Sequence, residues 1–129
     1  MININDLRVS NLFYDVNLTP CYFAGAWERK DGWIGRDSAG NTYKEQEMYP
    51  IPLTPEILEK AGFVFDNSDS QCWRHKSSGF SLGDSEDRPG QYYVHGIYLK
   101  ANRLVYLKYV HHLQNIIHAL TGQELEIKL

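Results

Sequence analysis

Gly32-Trp33-Ile34-Gly35-Arg36-Asp37-Ser38-Ala39-Gly40-Asn41-Thr42-Tyr43-Lys44 decides how the first half of this 129-residue chain is read. Two short segments carrying aromatic and β-branched residues flank Asp37 to Asn41, a run of residue types that tolerate tight or left-handed turns. This layout predicts an antiparallel hairpin, because such side chains suit a pleated, half-covered surface and Asp, Gly and Asn close the loop. Upstream, Leu12-Phe13-Tyr14 and Cys21-Tyr22-Phe23-Ala24 repeat the pattern, and downstream Met48-Tyr49 adds a fifth segment. Five short strands over residues 1–52 are the layout of a small SH3-like β-barrel, whose closure protects edges that a flat sheet leaves unpaired. A plain antiparallel meander is the alternative.

Pro50-Ile51-Pro52-Leu53 ends this unit, since proline fixes an extended backbone and cannot donate to a central ladder. A short linking helix over 53–62 follows. Thr54 suits its N-cap, Pro55 its first position, Glu56 the positive end of its dipole, and Gly62 a left-handed stop that folds Phe63 back toward Leu58. Residues 63–129 then read as an antiparallel sheet packed against one C-terminal amphipathic helix, giving an α+β fold. Its strands are Phe63-Val64-Phe65, Cys72 to His75, Gly79 to Leu82, Gln91 to Lys100 and Leu104 to Leu107, with loops at Asn67–Ser70 and Gly83–Gly90. Val110, Leu113, Ile116, Ile117 and Leu120 recur at helical spacing and form the stripe that the last helix buries, and Gly122 stops it. Leu125, Ile127 and Leu129 alternate with charged residues, the period of a final strand paired in the sheet.

Composition narrows the function classes. The longest apolar runs fall well short of a membrane span, and the first ten residues lack the pattern of a secretory leader, so a cytoplasmic protein without a membrane partner is expected. Cys21 and Cys72 show no metal-ligand or redox spacing, which predicts buried, inert thiols. A net charge of -3 argues against generic phosphate binding. Nucleotide-loop, dinucleotide, zinc-protease and EF-hand motifs are missing, so neither a metal nor a cofactor is expected and the chain leans away from catalysis. Asp66-Asn67-Ser68-Asp69-Ser70 only faintly resembles a calcium loop, lacking its central glycine and twelfth-position acid.

Some residues could still carry chemistry or binding. Gly79-Phe80-Ser81-Leu82-Gly83 matches the GxSxG of a nucleophile elbow, but that device needs a strand-to-helix turn on a large parallel sheet, so a hydrolase centred on Ser81 ranks last. On the last helix His111, Gln114, Asn115 and His118 form a polar face opposite the apolar stripe. A solvated face, or one hydrogen-bonded to a neighbouring loop, is the simpler reading, and a ligand or partner surface the functional one. His111 and His118 are too far apart along the axis to share one zinc. His112 reads as a packing residue, and His75 and His95 show no nucleophile or carboxylate partner. Trp27, Trp33, Tyr43 and Tyr49 could form an aromatic surface for proline-rich peptides or stacked bases, although filling a small barrel accounts for the tryptophans more simply. Arg74-His75-Lys76, with Lys100, Arg103 and Lys108, is the only concentration of positive charge.

Tyr109-Val110-His111-His112-Leu113-Gln114-Asn115-Ile116-Ile117-His118-Ala119-Leu120-Thr121-Gly122-Gln123-Glu124-Leu125 resembles the tail of small uncharacterised proteins from Bacteroides phages and mobile elements. Leu7-Arg8-Val9-Ser10-Asn11-Leu12 is similar to their opening, with Ser10 where a glycine is expected, and Ile51 to Leu58 is similar to their central helix. The resemblance implies no activity, ligand or functional residue. The expected role is therefore a phage or mobile-element accessory protein that binds another protein without catalysis. A nucleic-acid-binding accessory protein is the alternative.

Overall fold

In a computed structural model of the chain we describe residues 2–66, 72–84, 88–94 and 106–129. These form an α+β fold in two units, one comprising residues 1–51 with 109–111 and the other residues 52–108 with 112–129.

The first unit is a curled antiparallel sheet in the order β1 (Leu12–Tyr14), β2 (Pro20–Arg29), β3 (Gly32–Asp37), β4 (Thr42–Lys44). β2 does most of the curling. Its first residues pair with β1, as in Leu12 with Tyr22, and from Phe23 onward it pairs with β3, with an irregularity between Phe23 and Gly25. An extra residue at such a bulge bends the strand and increases its twist, which lets one strand serve both sides of a half-barrel. The fifth expected segment contributes one bridge, with Tyr14 and Tyr49 exchanging backbone hydrogen bonds of 2.9 Å in each direction. Closure is therefore partial, and the sheet is half of the expected barrel. Ile2, Ile4, Phe13, Cys21, Phe23 and Met48 fill its core, with Leu7, Trp33 and Tyr43 packed against them. Gly35 keeps that core dense, since a side chain there would collide with the Met48 thioether.

In the second unit α1 (Pro55–Lys60) starts as its sequence indicates. The Thr54 hydroxyl accepts the Ile57 N–H at 3.3 Å, Pro55 occupies the first turn, and Gly62 stops the helix at φ +91°. The sheet that follows is antiparallel throughout, in the order β5 (Phe63–Asp66), β6 (Cys72–His75), β7 (Ser81–Asp84), β8 (Tyr92–Val94), β9 (Tyr106–Leu107). One face buries Phe63, Trp73, Leu82, Val94, Tyr92 and Leu107. The proposed loop over Gly83–Gly90 begins later than expected, because Gly83 and Asp84 belong to β7. The expected loop over Asn67–Ser70, the calcium-like run beyond Asp66, and His95, Lys100 and Arg103 lie outside the described residues.

Helix α2 (Val110–Thr121) ends at Gly122, whose N–H bonds the His118 carbonyl at 2.8 Å. Its covered side differs from the expected stripe. Val110, His111, Leu113, Gln114 and Ile117 are buried, while Ile116 and Leu120 are only half-buried. At 100° per residue the covered arc is thus rotated toward the polar residues. After the helix, Leu125 and Ile127 are buried and their neighbours exposed, yet residues 124–129 form no strand. The period-two pattern reports an extended segment with one covered side, and the expected final strand is not formed. Among the described residues no helix is long and apolar enough to cross a membrane.

Candidate functional site: the β5–β6 corner and the buried polar clusters

Charge and polarity gather at three places, which differ in how fully their groups are bonded.

The first lies in the β3–β4 hairpin. Asp37 ends β3 facing inward at 5 % exposure, and its carboxylate accepts from the Ala39 N–H (3.0 Å), the Asn41 N–H (2.9 Å), the Asn41 amide (3.2 Å) and the Tyr43 hydroxyl (2.7 Å). Burial alone would raise the Asp37 pKa. The hydrogen bonds from Tyr43 and Asn41 outweigh it and hold the carboxyl below its ordinary value. The same pairing and the burial push the Tyr43 phenol far above its usual range. The Cys21 thiol lies 3.6 Å from the Tyr43 oxygen and donates to the Thr19 carbonyl at 3.4 Å, and burial raises its pKa too. The bonds to Asp37 close the β3–β4 turn, and a raised thiol and phenol are poor nucleophiles. Cys72 is also buried, and neither cysteine is in a disulfide.

The second is the turn after β6. The Ser78 hydroxyl lies 2.9 Å from His75 Nδ1, the Ser78 N–H donates to that nitrogen at 3.3 Å, and the hydroxyl accepts the Phe80 N–H at 3.2 Å. Since Nδ1 accepts the amide proton, the hydroxyl donates to it as well and the imidazole is neutral with its proton on Nε2. Burial lowers the His75 pKa, partly opposed by its bond to the Ala61 carbonyl. Sequence reading assigned His75 no partner. The signal it missed is a serine three residues on, at the span of a tight turn. A serine beside a neutral imidazole has the geometry of an activated nucleophile, but every bond here also closes the hairpin locally. Ser81, the residue of the GxSxG match, is half-buried at the start of β7 and donates to the Gly79 carbonyl at 3.3 Å. It stands in an antiparallel hairpin, without the strand-to-helix turn a nucleophile elbow needs.

The third is the outer corner of the second sheet, an open groove of about 400 Å³ lined by Val64, Phe65, Asp66, Arg74, His75, Lys76 and Gly79. Val64 is 47 % and Phe65 42 % exposed. Phe65 leans on Trp73 across the pair, with ring centroids 5.2 Å apart, and Arg74 reaches Asp66 at 3.9 Å. Both members of that ion pair are substantially solvated, so it adds little stability and leaves the guanidinium accessible. Lys76 is exposed.

The residues picked from sequence are scattered over the units. Trp33 and Tyr43 pack on the first core, whereas Trp27, expected to fill it, is 36 % exposed on the β2–β3 hairpin with the Arg29 guanidinium 5.7 Å from its ring centre. Tyr49 is 39 % exposed. Of the polar face expected on the last helix, His111 and Gln114 are each only 2 % exposed, so solvation does not account for these two positions. Asn115 and His118 are half-buried, and His118 lies 4.0 Å from Glu124. His111 stacks on Tyr109, with ring centroids 5.8 Å apart and planes within 8°, and a ring nitrogen of His111 lies within 4.8 Å of an Asp6 carboxylate oxygen. Within the first unit these are two donors, fewer than a protein zinc site uses. His112 is half-buried and begins the helical stretch assigned to the second unit.

Comparison of the chain with protein families, curated proteins and solved structures finds no match.

Proposed function

We propose that the protein is a non-enzymatic protein-interaction module that recognises its partner at the β5–β6 corner. Its setting is an accessory role in a phage or mobile element, as the resemblance of residues 109–125 suggests. One observation carries the reading: two large apolar side chains, Val64 and Phe65, stand 47 % and 42 % exposed on the first strand of a sheet, beside the cations Arg74 and Lys76. Exposed apolar groups rimmed by charge are what an interface core needs before its partner arrives. By contrast, the bonds made by Asp37 and Ser78 fix turns. Affinity capture from a host lysate with the wild-type chain and with Val64→Lys tests this. A protein retained by the first and lost by the second, with unchanged circular dichroism, is expected. Turnover of a substrate that is abolished by Ser78→Ala or Ser81→Ala, with no protein retained, would defeat the reading.

Nucleic-acid binding is the second reading, favoured by Trp27 with the Arg29 guanidinium over its ring on an exposed hairpin. Stacking of bases on Trp27 would quench its fluorescence when single-stranded oligonucleotides are added at low salt. The net charge of -3 weighs against it.

A further inference from the structure

Resting on the interaction-module reading, we propose that the β5 edge binds an extended acidic peptide by strand addition, with apolar and acidic side chains alternating along the added strand.

Strand order and register carry the argument. Among the described residues β5 is an end strand, laddered to β6 on one side. The Lys76 N–H donates to the Gly62 carbonyl at 3.1 Å, and these two residues stand opposite each other in the register that pairs Phe63 with His75. In an antiparallel ladder, hydrogen-bonded and non-hydrogen-bonded pairs alternate. Val64 and Arg74 therefore exchange ladder bonds, whereas the N–H and C=O of Phe65 point away from β6 along the edge; those of Phe63 share this phase, but Phe63 is buried and its part of the edge is covered. The His75 N–H, which bonds the Phe80 carbonyl on the other side at 2.8 Å, confirms the phase. At Phe65 the edge thus offers a donor and an acceptor to an incoming strand. Natural sheets blunt such edges with prolines, bulges or inward-pointing charges, and the exposed pair Val64-Phe65 carries none of these.

Side-chain direction supplies specificity. Successive residues of an added strand point to opposite faces. Those on one face meet the exposed Phe65 ring, backed by Trp73, which suits an apolar residue. Those on the other meet Val64, with Arg74 and Lys76 beyond it and Asp66 as the one carboxylate among the described groove residues, which suits an acidic residue. Two cations against one carboxylate favour an acidic chain. A nucleic acid is disfavoured, because its backbone cannot pair repeatedly with N–H and C=O groups and the chain is net negative. A second copy of the chain would bring two cationic corners together.

The test uses the isotope-labelled 129-residue chain and a synthetic peptide of about seven residues alternating valine and glutamate, a length matched to an ordinary strand. Amide shifts are expected at Val64, Phe65, Arg74 and Lys76, with slowed solvent exchange at the Phe65 N–H. A valine–lysine peptide should bind roughly tenfold more weakly or worse, and added salt should narrow that gap. Phe65→Pro removes an N–H that the ladder does not use and should weaken binding by roughly tenfold or more. Lys76→Glu, a surface change without folding risk, should erase the preference for the acidic peptide. The proposal is overturned by no binding, by binding that leaves Phe65 exchange unchanged, or by affinity indifferent to Lys76→Glu. Tighter binding of an oligonucleotide at the same amides, or self-association through this edge in sedimentation, overturns it too. If the peptide fails while a lysate protein is still lost on Val64→Lys, strand addition falls and the interaction module stands. If both fail, both readings fall.

Discussion

Asp37 and Phe65 each end or nearly end a strand in their own unit, and they show opposite solutions to the same accounting problem. Four donors converge on the Asp37 carboxylate inside the β3–β4 hairpin, so a buried charge is fully met by the protein itself. At Phe65 the backbone donor and acceptor point outward from an end strand, and a large ring stays 42 % exposed. A buried polar group left unmet costs its desolvation, which is why saturation marks a structural site. A half-met edge tolerates solvent at little cost and can exchange water for a partner. Completeness of bonding, more than residue type, separates scaffold from interface in this chain.

The comparison is most exposed to attack at Asp37. Asp37→Ala removes the acceptor for all four bonds and should destabilise the chain by about 3 kcal/mol or more, read from the midpoint of urea unfolding. A loss below about 1 kcal/mol would show that the cluster is not the anchor its geometry implies. A smaller effect is expected at His75, whose pKa is lowered from 6.5 chiefly by burial. The unfolded chain therefore binds the proton more readily, so the stability this residue contributes is fully present above 6.5 and is lost as pH falls through the folded-state value. The unfolding midpoint of His75→Gln should accordingly vary less with pH than that of the wild type between about pH 7 and 5. Ser78→Ala should cost about 1 kcal/mol and leave reactivity toward fluorophosphonates unchanged. Ser10 sharpens the contrast from the other side, since it sits at φ +79° in the turn where Asn11 N–H bonds the Arg8 carbonyl at 2.9 Å. Ser10→Gly relieves that strain and should stabilise the first unit by about 1 kcal/mol, seen as a raised thermal midpoint.

Local chemistry was legible wherever one residue type has one backbone use. Asp37 to Asn41 announced its hairpin, Thr54 and Pro55 their helix start, and Gly62 its end. What failed depends on neighbours distant in sequence. An apolar stripe says which side of a helix prefers to be covered and nothing about how far the cover extends, so the burial of His111 and Gln114 is not legible from the spacing. Alternation in Leu125 and Ile127 reported one-sided burial, but a ladder needs a partner strand that no local pattern reveals. Of the candidate site, the charges Arg74 and Lys76 could be picked out in the sequence. Exposure of Phe65 and the outward phase of its amide arise from strand order and register, which a run of hydrophobic residues does not disclose.

The first unit is interrupted. It takes back residues 109–111, where the Val110 N–H bonds the Ile51 carbonyl at 2.8 Å, only after the intervening chain has been made. On the ribosome the half-barrel must therefore wait until the chain through residue 111 has emerged before its last pieces can join it. A nascent chain halted after Ile51 would expose an unfinished sheet to chaperones and proteases.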